Sequence, residues 1–259
     1  MGCPVALLLA AGLAALAGCT AGKGTIREDR ESFDAGYAAF EAGQWQRAID
    51  AFSQFLRSDP TMRARGEVYY YRGECYARLR NRREAMADFE RALGANARPP
   101  LDSFARVAIG NLYYEQGGDA QAVQVYAEAL RNPPKELPID TVALRMAVSL
   151  QRLGKWELAD KYLAYLLDRY PDSPAAAEAG RRLHADSFTV QVGAYVSMLT
   201  AGNEVNRLRA AGFQARLGKA MRGGQTLNTI QVGRVSTHAE AETLARRLAR
   251  AGCQTVIVP

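Results

Sequence analysis

Between Asp29 and Pro174 the small and apolar positions recur every 37 residues, most plainly at Ala48, Ala85, Ala122 and Ala159. Twelve residues ahead of each stands a small residue, Gly36, Gly73, Gly110 or Ala147. Four residues behind stands a bulky one, Phe52, Phe89, Tyr126 or Leu163. Small residues let two helices approach closely, and a large side chain one turn on fills the gap between successive hairpins. The pattern predicts four helix-turn-helix hairpins. Pro60, Pro134 and Pro171 fall where second helices should end, and Arg131 to Pro138 reads as an extended turn. Ser173 is then placed to cap a short helix opening at Pro174, the polar-faced lid that a repeat array needs.

From Ser187 the helical period gives way to alternation. Thr189-Val190-Gln191-Val192-Gly193 is echoed forty residues later by Thr229-Ile230-Gln231-Val232-Gly233, and the stretch from Arg207 aligns with that from Arg247. Each half is strand, helix, strand. Strict alternation puts Phe188, Val190, Val192, Ile230 and Val232 on one sheet face, and Thr189, Gln191, Gly193, Thr229, Gln231 and Gly233 on the other. Ala201, Val205 and Leu208 form one helical stripe, and Ala241, Leu244, Ala245 and Leu248 its counterpart. Thr237 and Glu240 have the spacing of a capping box. The expected fold is multidomain: an all-α solenoid of helical hairpins, then an α+β (βαββαβ, ferredoxin/RNP-like) sandwich with one open, polar sheet face.

Charge separates the same two pieces. Residues 187–259 hold nine basic residues against three acidic, so the whole formal +6 of the chain resides there. At the other end, Val5 to Ala17 is an uncharged apolar run. It is shorter than the roughly 20 residues a spanning helix needs, and it suits a secretory leader. Leu16-Ala17-Gly18-Cys19 resembles the lipobox of bacterial lipoproteins. That resemblance implies cleavage after residue 18, lipidation of Cys19 and, since Thr20 rather than Asp follows, sorting to the periplasmic face of the outer membrane. The expected layout is a leader over 1–18, a linker over 19–28, four repeats with a capping helix over 29–186, and the sandwich over 187–259. Cys75 and Cys253 read as small buried hydrophobes, too far apart in the layout for a staple.

The hairpin positions resemble the tetratricopeptide repeat (TPR), whose usual length is about 34 residues. In that family first helices line a concave, peptide-binding face. Carried over, the resemblance implies a groove made by Phe33, Tyr37 and Phe40, by Tyr70 and Glu74, and by Phe104, Val107, Asn111 and Tyr114. The two strand phrases, with Ala194 and Tyr195 after the first, resemble the sporulation-related repeat (SPOR) domain. This likeness implies binding of peptidoglycan, especially denuded glycan strands, across the open sheet face. The candidate contacts are Gln191, Gly193, Tyr195, Arg216, Thr229, Gln231, Gly233 and Arg234. Ala194 stands where that family often has a hydroxyl. Leu227, Asn228 and Thr229 replace its usual aromatic and arginine, which removes a platform for a sugar ring.

Other classes fit less well. An RNA-binding sheet stacks bases on strand aromatics, whereas these strand centres offer glutamine and glycine, and an export leader leads away from nucleic acid. The two histidines, His184 and His238, sit in no zinc-protease motif, no G-x-S-x-G elbow is present, and neither cofactor nor metal is implied. The resulting expectation is a non-catalytic envelope lipoprotein whose partners are glycan strands, a protein or peptide in the groove, and a membrane reached through the lipid anchor. The alternative is an outer-membrane assembly or secretion accessory lipoprotein that works mainly through its repeats.

Overall fold

The computed structural model describes residues 21–58, 62–95 and 100–259. The apolar run, Cys19 and Pro60 lie outside the described residues. The chain divides into two compact units between Thr61 and Met62.

The first unit holds one hairpin, α1 (Ala21–Glu41) and α2 (Trp45–Arg57). Residues 21–28, expected as linker, belong to α1. They contain no proline, so nothing in the backbone obliges the helix to start later. Gly43, at φ +69°, makes the turn. A Cβ built on Gly36 would lie 2.6 Å from the Phe52 ring, so only glycine admits that ring against α1.

The second unit repeats the device. Its hairpins are α3 (Met62–Arg78) with α4 (Arg82–Gly94), α5 (Leu101–Glu115) with α6 (Asp119–Ala129), and α7 (Ile139–Arg152) with α8 (Trp156–Arg169). Phe89 seats on Gly73 and Tyr126 on Gly110, where an added Cβ would fall 2.8 and 2.5 Å from the respective rings. The large side chain therefore closes the gap inside its own hairpin rather than between successive ones. Phe89, Tyr126 and Leu163 are fully buried, as are Ala85, Ala122 and Ala159. One buried charge is also built in: Asp88, 1% exposed, accepts from Arg72 Nε at 2.6 Å and Nη2 at 2.9 Å, and from Arg91 Nη1 at 2.9 Å.

Helix α9 (Pro174–Arg182) caps the array. Ser173 Oγ accepts from the Ala176 amide at 3.1 Å, Ala175 and Ala179 join the core of the fourth hairpin, and Gln151 Nε2 donates to the Arg182 carbonyl at 3.1 Å.

The C-terminal module runs β1 (Phe188–Tyr195), α10 (Met198–Ala210), β2 (Ala215–Arg222), β3 (Gln225–Val235), α11 (His238–Arg250) and β4 (Val256–Val258). Its strands lie in the order β2-β3-β1-β4, all antiparallel, as a ferredoxin-like βαββαβ chain requires. Val190, Val192, Ile230 and Val232 pack with Val205, Leu208 and Leu248 beneath the two helices. The capping box closes from both sides: Thr237 Oγ1 accepts from the Glu240 amide at 3.3 Å, and the Glu240 carboxylate from the Thr237 amide at 2.9 Å.

The module is seated on the fourth hairpin. Trp156, at the start of α8, donates its indole N–H to the Ser236 carbonyl at 3.0 Å, and its ring lies 4.9 Å from that of Phe188. Phe188 in turn meets His238 edge-on at 5.5 Å. Gly154, at φ +74°, turns the chain into α8 so close to Ser236 that a Cβ would approach its carbonyl oxygen to 3.1 Å. The connection from α9 to β1 is also tied down: His184 adopts φ 64°, and its amide donates to Asp160 Oδ1 at 3.2 Å.

Candidate functional site

Two surfaces gather the residues singled out in the sequence. On the sheet, Gln191 stands directly opposite Gln231, and Gln231 opposite Arg216. These three form a row across the open face, ending at the exposed Val256 on β4. One step along β3, Thr229 lies between Ala194 and Gly218. Thr229 is 1% exposed, and its Oγ1 has no hydrogen-bond partner among the described residues. A Cβ on Gly218 would sit 2.8 Å from that hydroxyl and 3.1 Å from Gln231 Cδ, so both groups lie over the glycine. A buried hydroxyl without a partner is costly, about 1–3 kcal/mol, unless something supplies one.

Two β-bulges correct the expected alternation. The register of β1 on β3 shifts between Gln191 and Gly193, and again between Phe188 and Val190. The extra residue in β1 turns Gly193 to face Ile230 on the helix-covered side, and Ala194 takes the open-face place opposite Thr229. Tyr195 follows Gly193: its ring lies over that glycine and packs against the module's core, not on the open face. Gly233 is the second bulge. Its φ of +71° and the 2.5 Å approach of a notional Cβ to Leu244 make it a structural glycine facing α11. Gly193, Tyr195 and Gly233 therefore do not join the glutamine row.

The charges also distribute unevenly. Arg216 is exposed and makes no ion pair among the described residues, whereas Arg234 pairs with Asp186 at the sheet's end. The hydroxyl of Ser187 and then the Arg234 guanidinium hold the Asp186 carboxyl below its ordinary value. Much of the module's positive charge, Arg207, Arg209, Arg246, Arg247 and Arg250, lies on the helices behind the sheet.

Among the helices, a cleft of about 660 Å³ opens between α3, α5 and α7, and Glu74, Asn111 and Arg145 line it. Tyr126 donates its hydroxyl to Asn111 Oδ1 at 2.7 Å, which leaves the Asn111 NH2 for the cleft. Burial raises the Glu74 carboxyl above its ordinary value despite Arg78 nearby. The other groove candidates are placed differently. Val107 is in the core. Tyr70 is half-buried in a ring cluster, 6.0 Å from Phe89 and 6.4 Å from Phe104. Tyr114 carries the Arg152 guanidinium 4.6 Å above its ring and lines a second cleft, of about 640 Å³, shared with His238 and Glu242 of α11. In the first unit, Phe33 packs on Phe55 at 5.8 Å, Phe40 on Trp45 at 5.7 Å, and Tyr37 is left the most exposed of the three. Helix-facing aromatics at the same spacing serve packing or binding, and the sequence pattern does not distinguish them. The roles of Trp156 and Gly218 carried no sequence signal beyond a tryptophan at the start of a second helix and a glycine in a strand.

Cys75 and Cys253 are both free. Burial, and then the neighbouring Glu74 charge, push the Cys75 thiol up to about 12, so it behaves as an inert core residue. Among the described residues no group of His, Cys, Asp and Glu side chains is arranged to hold a metal.

An array of helical hairpins joined to a βαββαβ module with an open polar face defines a two-part binding protein. The family comparisons are specific: the SPOR domain matches residues 185–259, and the tetratricopeptide repeat matches 33–96, 76–136 and 141–173. The chain therefore carries TPR repeats, modules of the protein-interaction kind, followed by a SPOR domain, a module of the peptidoglycan-binding kind. No curated protein matches it. Among solved structures, YrrB, "a TPR protein with an unusual peptide-binding site", is 21% identical over 59% of this chain and 74% of that one, at a TM-score of 0.49. MamA is 19% identical over 56% and 75%, at 0.48. Pseudomonas aeruginosa pilF is 17% identical over 61% and 69%, at 0.48.

Proposed function

We propose that the protein is a non-catalytic tether of the bacterial cell envelope, holding peptidoglycan on its open sheet face and a protein segment in its repeat groove. The observation that carries the reading is the row Arg216, Gln231 and Gln191 beside the unpartnered Thr229 hydroxyl. Amides and a hydroxyl suit the hydroxyl and acetamido groups of a glycan strand, and a free guanidinium suits its lactyl carboxylates. The strand lacks a stacking aromatic, and Tyr195 does not replace it, so binding here rests on hydrogen bonds and charge. Glycan stripped of stem peptides fits this flat, shallow face better than cross-linked wall. The Cys19 lipid anchor would hold the chain at the periplasmic face of the outer membrane while the module engages the wall.

The test is retention of the full chain on purified sacculi, with and without amidase treatment to expose bare glycan. Wild type should be enriched on treated sacculi, and Gln191→Lys should lose that enrichment while melting normally. Absence of wild-type enrichment on either substrate would overturn wall binding. Separately, Cys19→Ser should release the chain from membranes into the soluble fraction. Continued membrane association would overturn the anchor.

A further inference from the structure

The cleft between α3, α5 and α7 has an unbalanced lining: four guanidiniums, those of Arg78, Arg80, Arg82 and Arg145, stand against two carboxylates, Glu74 and Glu115. Each carboxylate is already answered. Arg82 lies 3.6 Å from Glu115. Burial raises the Glu74 carboxyl, and Arg78, one turn along α3, opposes that rise by favouring the charged form. The other two cations are not matched in this way. Arg80 and Arg145 close no ion pair among the described residues. Arg145 is half-buried, and the groups it meets, the Tyr114 ring at 5.8 Å and the Tyr126 hydroxyl, are neutral. A cleft walled by protein and lined by an excess of one sign focuses its field on the space inside, where an anion is the species drawn in.

Arg80 occupies its place at a cost to the backbone. The hairpin turns recur with the 37-residue period, and three of them put glycine at the same point: Gly43 at φ +69°, Gly117 at +75° and Gly154 at +74°. Each donates its amide to the carbonyl three residues back, at 2.9, 3.2 and 2.8 Å. Arg80 makes the same turn at φ 62°, with its amide 3.0 Å from the Ala77 carbonyl. A residue with a Cβ is disfavoured in that left-handed conformation, whereas glycine is not. The turn itself therefore does not call for arginine. What arginine adds there is a guanidinium on the lining of the cleft.

We infer that this cleft takes an acidic segment of a partner protein, with Asp or Glu side chains set against the Arg80 and Arg145 guanidiniums. The planar fork of a guanidinium matches the two oxygens of a carboxylate. Asn111, whose Oδ1 is taken by the Tyr126 hydroxyl, leaves its NH2 as one further donor to such an occupant. The inference rests on the reading of the repeats as a groove for a protein segment and adds the chemistry of the occupant.

The experiment pans a phage-displayed library of random dodecapeptides against the immobilised full chain, then measures selected peptides by fluorescence anisotropy on wild type and variants. Selected peptides should be enriched in Asp and Glu, and their affinity should fall as salt is raised. Arg80→Gly should move two readouts in opposite directions: the melting midpoint should rise by about 2–4 °C as the turn is relieved, while affinity for the selected peptides falls about fivefold. A purely structural role for Arg80 would not lower affinity in a stabilised protein. Arg145→Gln should cost about tenfold, since its guanidinium is the less exposed of the two. Arg83→Gln, exposed on α4 and off this lining, should bind like wild type. Selected peptides without acidic enrichment, or unchanged affinity for both Arg80→Gly and Arg145→Gln, would overturn the acidic assignment while leaving peptide capture standing. Failure to select any peptide would overturn both.

Discussion

Gly218→Ala tests the sheet site through its floor. The added Cβ would lie 2.8 Å from Thr229 Oγ1 and 3.1 Å from Gln231 Cδ, against ordinary contacts of 3.4–4 Å. Thr229 has little room to give way, because Ala194 of β1 flanks it on the other side. Overpacking of this kind costs about 1–3 kcal/mol. The lost glycine entropy offsets about 0.5–1 kcal/mol, leaving a net destabilisation of about 1 kcal/mol. Function should suffer more than stability, since the methyl pushes Thr229 and the Gln231 amide out of their places in the row. Loss of one hydrogen bond of about 1 kcal/mol corresponds to about a fivefold fall in retention. The assay is retention of the full chain on amidase-treated sacculi alongside urea unfolding. Gly202→Ala is the matched control: a Cβ there meets nothing within 4 Å, so this α10 substitution should stabilise by about 0.8–1 kcal/mol and leave retention alone. A Gly218→Ala protein that folds and is retained like wild type would refute the placement of the site over Thr229.

Asp88→Asn should be the most damaging single charge removal, costing about 3–5 kcal/mol in urea unfolding, because it strips a buried carboxylate from Arg72 and Arg91. A cost below 1 kcal/mol would show that this network is incidental. Glu74→Gln should raise stability with a definite pH dependence. The folded chain holds the Glu74 proton more tightly than the unfolded chain does, so wild-type stability falls as pH rises from the ordinary glutamate value through the raised one. The variant's advantage should be absent in acid and present at neutral pH, as thermal melts across that range will record; a constant or reversed difference contradicts the desolvated carboxylate. Trp156→Phe removes the indole donor to the Ser236 carbonyl and should cost about 0.5–1.5 kcal/mol. Amide exchange around Ser236 and Phe188 should quicken while exchange in α3 and α4 does not; unchanged rates at Ser236 would count against the docking.

What the sequence made legible follows from what each signal encodes. The spacing of small and bulky residues recovered the hairpins because Gly36, Gly73 and Gly110 are steric necessities under the rings of Phe52, Phe89 and Tyr126. Thr237 with Glu240, and Ser173 with Pro174, revealed their helix starts because capping is a local interaction. The glutamine row was legible too, since period two fixes the face of a residue until a bulge intervenes. The bulges were not. Gly193 and Gly233 look alike in sequence, yet only Gly233 has a positive φ, and both leave the open face for reasons that depend on strand register. The groove was half legible: Glu74 and Asn111 line the cleft, while Val107 went to the core. A single helical stripe cannot say which of its members meets a neighbouring helix.

The seat of the module on the fourth hairpin has a mechanical meaning. Phe188 is the first residue of β1 and touches Trp156, the first residue of α8. A pull applied to the sheet therefore enters the array through stacked rings and one indole bond, in parallel with the covalent connection through His184. Load shared along two paths is borne in shear by close-packed surfaces, and the sheet and the last hairpin turn together. The angle at which the sheet meets its target then sets the direction in which the cleft between α3, α5 and α7 points, as a bracket sets the direction of a shelf.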